Sequence, residues 1–195
     1  MENRKFVVGI TGGSGSGKTT LLNCIAEKGG VILDCDAIYH QLLQQDTTLL
    51  AAIEARFPGV VEQGQLHRKK LGAIVFSDEK ALADLNKITH SAVKAEVLQR
   101  LSHVGLAAID AIGLFEGDLA QLCDVTVAVT APREDRIVRL MARDGISREY
   151  AEKRIDAQHS DQEFSALCNH TLENNGDICA FRAKCLAFLD ELGIM

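Results

Sequence analysis

An excess of basic residues is the first thing this sequence lacks. Its 195 residues carry 21 Lys and Arg against 27 Asp and Glu, a net charge of −6 with the histidines neutral. Proteins that bind nucleic acid or an anionic membrane surface in a general way need surplus cations to neutralise phosphates, so this balance argues against both roles. No stretch of roughly 18 apolar residues occurs, which is the length a membrane-spanning helix requires. The N-terminal apolar run ends at a glycine loop after a few residues, so export is not indicated either. The six cysteines (Cys24, Cys35, Cys123, Cys168, Cys179 and Cys185) form no C-x-x-C pair and lie inside apolar or helical patterns. They read as reduced thiols of a cytoplasmic chain, and no metal site is expected of them. The histidines are scattered without metal-ligand spacing. No internal repeat, low-complexity tract or charged tail interrupts the chain, which at 47% hydrophobic content is long enough for one full core with an insertion.

What is present is an octapeptide with chemistry. Gly12-Gly13-Ser14-Gly15-Ser16-Gly17-Lys18-Thr19 matches G-x-x-x-x-G-K-[ST], the phosphate-binding loop, and it directly follows the apolar run Phe6-Val7-Val8-Gly9-Ile10. A chain wrapped around a polyphosphate must turn sharply and bring bare backbone N–H groups to the oxygens, which glycine permits. Lys18 adds a mobile cation for the β- and γ-phosphates, and the Thr19 hydroxyl suits a Mg²⁺ ligand. Leu21, Leu22, Ile25 and Ala26 then recur at helical spacing, so the start of a helix points its partial positive charge at the anion.

Further strand-like runs are Val31-Ile32-Leu33 ending at Asp34, Leu106 to Ile109 ending at Asp110, and Asp124 to Thr130 with alternating valines. Strands separated by helical patterns predict an α/β fold with a parallel sheet, in which ligands bind beyond the carboxyl ends of the strands. Asp34, Asp36 and Asp110 are then expected to gather near the phosphate loop. Between Asp36 and Leu106 no strand is expected. Two helical stretches, Ala81-Leu82-Leu85-Ile88 and Val93-Val97-Leu98-Leu101, and the turn Phe57-Pro58-Gly59 predict a helical insertion facing the triphosphate across a cleft.

Phosphoryl transfer needs positioning, charge neutralisation and a group that accepts or orients the proton of the attacking hydroxyl. Asp36 is the candidate: two residues beyond Asp34, it is expected to leave the second strand on the same side. Asp34 either holds a metal-bound water or caps the next helix, and capping alone is the competing reading for Asp36 too. Asp110 is a strand-end carboxylate of the kind that holds Mg²⁺ through water, or a plain turn residue. Six of the eleven arginines fall between residues 133 and 154, and Arg136, Arg139 and Arg143 are spaced i, i+3, i+7. They share one helix face and are expected to close over the phosphates as a lid; ion pairing with nearby acids is the alternative for any one of them.

Together these segments resemble dephospho-coenzyme A kinase, over most of the chain. The likeness runs from Gly9 through Thr20 to Asp34-Cys35-Asp36 with His40, then Gly64 to Gly72, Val75-Phe76, Leu85-Asn86-Lys87-Ile88-Thr89-His90 and Leu114-Phe115-Glu116. It continues with Arg139 to Asp144, Arg154 with Gln158, and Asn174-Asn175-Gly176. It departs from the family at His67, where Asp is usual, at Ser91 after His90, where Pro is usual, and at Ala111-Ile112-Gly113, where a Val-Pro-Leu-like run is usual. The resemblance implies a three-layer P-loop NTPase fold: a nucleotide-binding core at 1–36 and 105–195, a helical acceptor-binding insertion at 37–104 and a helical lid at 133–158. It implies transfer of the ATP γ-phosphate to the ribose 3′-hydroxyl of dephospho-coenzyme A, with Mg²⁺, in a cytoplasmic monomer or weak homo-oligomer with no nucleic-acid or membrane partner. On this reading Asp36, Lys18 and Arg143 are catalytic. Gly13 to Thr20 (Gly13, Ser14, Gly15, Ser16, Gly17, Lys18, Thr19, Thr20) with Arg139 and Asn175 bind nucleotide, Asp36, His40, Arg68 and His90 meet the acceptor, and Thr19 and Asp110 serve the metal.

Two rivals remain on the residues alone. One is another small-molecule kinase of the same fold, acting on a nucleoside or nucleotide, against which only the insertion argues. The other is a nucleotide-dependent switch, since Asp110-Ala111-Ile112-Gly113 fits D-x-x-G, but no N-K-x-D follows it. A dinucleotide-binding dehydrogenase is excluded, because Lys18 stands where G-x-G-x-x-G needs its third glycine.

Overall fold

In chain order the main elements are β1 (Phe6–Thr11), α1 (Lys18–Glu27), β2 (Val31–Asp34), α2 (Cys35–Gln45), α3 (Thr47–Arg56), β3 (Val61–Glu62), β4 (Gln65–Leu66), α4 (Arg68–Val75), α5 (Glu79–Leu101), β5 (Leu106–Asp110), β6 (Val125–Thr130), α6 (Arg133–Asp144), α7 (Arg148–Asp156), α8 (Asp161–Leu167), β7 (His170–Glu173) and α9 (Ile178–Glu191). This computed structural model describes residues 6–194. The described residues divide into two units, the first built from residues 6–33, 104–115 and 119–194, the second from Asp34–His103 and Glu116–Asp118.

In the first unit, β1 is buried along nearly its whole length, as expected of a central strand covered on both faces. It pairs in parallel with β5 and with β6, and β6 pairs in parallel with β7. The sheet order is β2-β5-β1-β6-β7. Flanking helices give the expected three-layer α/β arrangement, with a fifth strand, β7, that no apolar run announces: only Leu172 of its four residues is buried. On one side Leu21, Cys24 and Ile25 of α1 and Phe181, Cys185 and Leu189 of α9 pack on Val8, Ile10, Val127 and Val129. Each such side chain withdrawn from water contributes about 1.5–3 kcal/mol. Burial pushes the thiols of Cys123 and Cys185 up to about 12 and that of Cys168 up to about 11, so these cysteines are packing residues rather than nucleophiles. Among the described residues no helix is long and apolar enough to cross a membrane.

The second unit corrects three sequence expectations. The two helical stretches are one helix, α5, begun by Asp78, whose side chain accepts from the N–H groups of Lys80 and Ala81. A short hairpin, β3–β4, occurs where no strand was expected; Gln63 and Gly64 both take positive φ, 53° and 75°, the geometry of a tight two-residue turn. Asp36 does not extend strand β2. The chain turns helical at Cys35, with Asp34 as cap accepting from Ala37 N–H at 2.9 Å, so the strand-alternation argument for Asp36 fails and it lies in the first turn of α2. The core of this unit gathers Leu43, Leu49, Ile53, Phe57, Leu71, Val75 and Leu85 from α2, α3, α4, α5 and the turn after α3.

Candidate active site

The loop Gly12–Gly17 joins β1 to α1. Gly17 takes φ 105° and stands as the cap of α1, which has no side-chain cap and no acidic residue in its first turn. The positive end of the helix is thus left to an external anion. The Lys18 ammonium donates to the Gly12 carbonyl at 2.7 Å. Thr19 is exposed, Thr20 and Gly15 are half-buried, and Ser14 and Ser16 are buried.

Side chains from later in the chain hold the loop from behind. Arg136, only 4% exposed, donates through Nε to the Ser14 carbonyl at 3.0 Å and through Nη1 to Asp161 at 2.9 Å. Burial lowers its pKa, and the Asp161 charge opposes that. Gln158 accepts the Ser14 N–H at 2.8 Å and donates to the Ser14 hydroxyl at 2.9 Å. Asn174, also buried, donates to the Ser16 carbonyl at 2.8 Å. Here the glycines answer to close approach: a Cβ at Gly13 would lie 2.0 Å from Arg136 Nη2, and one at Gly17 2.3 Å from Asn174 Nδ2. Arg136 is therefore not the exposed lid residue its spacing suggested. It borders the buried stripe of α6, beside Ile137 and Leu140. Arg139 reaches the Gly15 carbonyl at 3.1 Å. Asn175 is exposed next to the buried Asn174.

Arg143 is exposed near the end of α6, its guanidinium forked onto Asp144 at 2.7 and 3.0 Å. Arg154 of α7 shares that carboxylate at 2.7 Å, and the pairing with Arg143 holds the Asp144 carboxyl below the usual range. Arg148 spans to Glu134, and Arg133 to Asp156, so α6 and α7 are laced by ion pairs. Asp110 ends β5 opposite Ile10 and is half-buried. The Thr11 hydroxyl donates to Ile112 O at 3.0 Å, which ties the segment after Asp110 to the start of the loop.

The second unit carries the remaining candidates. Asp36 and His40 are exposed and one turn apart on α2, on the same face. The His40 ring lies 5.7 Å from that of Tyr39, whose pKa burial raises while Arg68, close enough to act on it, lowers it. His90 of α5 contacts the Glu116 carbonyl through Nδ1 at 3.2 Å. It lines an open cavity of about 450 Å³ with Asn86, Lys87, Lys94 and Asp118. Among the described residues no group of three or more His, Cys, Asp or Glu is placed to hold a metal ion.

The family model for dephospho-CoA kinase matches residues 6–180. The chain belongs to the dephospho-CoA kinase family. A relative of that name from Latilactobacillus sakei is 35% identical over 191 residues, 95% of each chain. Two solved structures are similar along the chain: TT1252 from Thermus thermophilus (32% identity, TM-score 0.79, 97% of this chain and 98% of that one) and a dephospho-CoA kinase from Campylobacter jejuni (26%, 0.59, 96% and 97%). Membership makes the chain a kinase with a small-molecule acceptor and implies ATP as phosphate donor. The sequence reading assigned Gln158 and Asn174 no role, naming them only as part of the likeness. Arg136 was read as a lid residue and not as a buried support of the loop, because a charged residue is ordinarily read as facing water.

Proposed function

We propose that this protein transfers the γ-phosphoryl group of ATP to the ribose 3′-hydroxyl of dephospho-coenzyme A, giving coenzyme A and ADP. The observation that carries the reading is the seated phosphate loop at an uncapped helix start, in a chain that matches the family model over residues 6–180. The loop from Gly13 to Gly17, with the start of α1 at Lys18, Thr19 and Thr20, grips the β- and γ-phosphates. Lys18 leaves the Gly12 carbonyl to neutralise charge as the bond to the β–γ bridging oxygen breaks. Asp36 accepts the proton of the attacking 3′-hydroxyl as its oxygen bonds to phosphorus, and ADP departs with the bridging oxygen. His40, Arg68 and His90 orient the acceptor. Arg143 exchanges Asp144 for the transferring phosphoryl oxygens, and Arg139 and Asn175 meet the nucleotide.

The donor set fits magnesium. Mg²⁺ favours oxygen ligands and is held by one or two protein groups plus substrate phosphates and water, which suits the exposed Thr19 hydroxyl and the half-buried Asp110 carboxylate. When bound it would supply neutralisation of phosphate charge.

The test is an ADP-release assay with dephospho-coenzyme A against a panel of nucleosides and nucleotides, run with ATP and with GTP. Turnover dependent on dephospho-coenzyme A supports the reading. Turnover only with a nucleoside or nucleotide acceptor replaces it with another kinase, and acceptor-independent hydrolysis of GTP replaces it with a switch.

A further inference from the structure

Ser14 is bound at each of its polar groups by side chains distant in sequence: its N–H and hydroxyl by Gln158, its carbonyl by Arg136. Gln158 follows α7, its N–H bonded to the Ile155 carbonyl, while Arg136 belongs to the second turn of α6. The phosphate loop is therefore pinned at one residue by α6 and by the segment that follows α7.

A second observation concerns the character of Arg136. Among the described residues its buried Nη2 has no hydrogen-bond partner, and the carboxylate it pairs with, that of Asp161, is one-third exposed. A buried guanidinium with an orphan donor is a poor stability device: leaving such a group unpaired is costly, and apolar replacements of buried ion pairs are often as stable or more so. What the residue supplies is shape. A loop with glycine at positions 12, 13, 15 and 17 has unusually wide backbone freedom, and ordering it is costly in entropy. If that ordering awaited the nucleotide, it would be deducted from binding.

We infer that Arg136 and Gln158 are positioning residues for the donor site: by clamping Ser14 they hold the phosphate loop in its anion-receiving shape before nucleotide arrives, and they couple that shape to the α6–α7 pair. The inference rests on the kinase reading above. Neither side chain is assigned any contact with substrate; both act through Ser14.

Gln158→Met removes both hydrogen bonds at nearly constant volume, and Arg136→Met removes the buried cation. Each variant is expected to raise the KM for ATP and the Kd for ADP about tenfold, the effect of one or two lost hydrogen bonds. The KM for the acceptor should stay within about twofold in both, and the thermal midpoint of Gln158→Met within a few degrees. In the nucleotide-free protein, hydrogen exchange at the amides of residues 13–17 should quicken about tenfold in Gln158→Met with β1 and α1 unchanged. Combining Gln158→Met with Ser14→Ala should be less than additive, because both remove the same hydroxyl contact. Unaltered ADP affinity together with unaltered loop exchange overturns the clamp. Faster exchange throughout the unit with both KM values unchanged overturns it too, in favour of a purely structural role. Wild-type protein that binds ATP but does not phosphorylate dephospho-coenzyme A would refute the proposed reaction while leaving the exchange and ADP measurements to decide the clamp.

Discussion

Gly13→Ala is the sharpest single perturbation of the donor site. Gly13 has no positive φ, so alanine meets no backbone strain there, but the new Cβ would sit 2.0 Å from Arg136 Nη2 and 2.6 Å from its Cζ. The guanidinium must leave its slot. It then loses its bonds to the Ser14 carbonyl at 3.0 Å and to Asp161 at 2.9 Å. Hydrogen bonds to charged groups are worth about 1.5–3 kcal/mol each when buried; the freed guanidinium regains hydration and Asp161 is already one-third exposed, so the expected net loss is about 2–4 kcal/mol. For a chain of this length that lowers the thermal midpoint by roughly 5–12 °C. Gly176→Ala is the matched control, since its Cβ would meet only Ala180 Cβ at 3.5 Å, and it should stay within about 0.5 kcal/mol of wild type. Circular-dichroism melts of the two variants with nucleotide titrations decide the matter. A Gly13→Ala melt indistinguishable from that of Gly176→Ala, with unchanged ADP affinity, would refute the packing argument.

Asp36→Asn should lower kcat by roughly 10²–10⁴-fold while the KM for ATP changes little, because only proton acceptance is lost; undiminished steady-state turnover would remove Asp36 from the chemistry. Arg143→Ala should reduce kcat more than it weakens ADP binding if its phosphate contact forms mainly in the transition state, and equal losses in both would place it in ground-state binding. Glu54 accepts from the Gly59 and Val61 N–H groups at 2.6 and 2.7 Å, and these bonds hold its pKa below the usual value. Its contribution to stability is therefore present above the unfolded-state pKa and fades as pH falls through the folded one. Melting midpoints of Glu54→Gln should accordingly decline less steeply than wild type between about pH 5 and pH 3, and parallel curves would show that the turn does not depend on that charge.

The donor half of the site was legible because its chemistry is local. A strand, a glycine loop, a lysine and a helix start occupy consecutive residues, and no distant partner is needed to recognise them. What escaped depends on tertiary placement. The i, i+3, i+7 spacing puts Arg136, Arg139 and Arg143 on one face of α6 correctly, but it cannot say that the first of them borders the buried edge with Ile137 and Leu140. β7 went unread because a four-residue strand with one buried side chain has no pattern to show. Had it been seen, the alternation Leu172, Asn174 would have singled out Asn174 as the inward asparagine. Asp36 was chosen through strand periodicity, and the cap formed by Asp34 replaces that geometry with a helix turn. The residue stays a candidate on its chemistry and on the family likeness.

The packing of α9 against α1 has a bearing on how the molecule comes into being. The glycine motif is synthesised before Phe181, Cys185 and Leu189, which finish the apolar bed of its helix. A nascent chain thus displays the nucleotide signature before the bed under that helix exists, and a cut ahead of α9 would take the support from a helix far away in sequence.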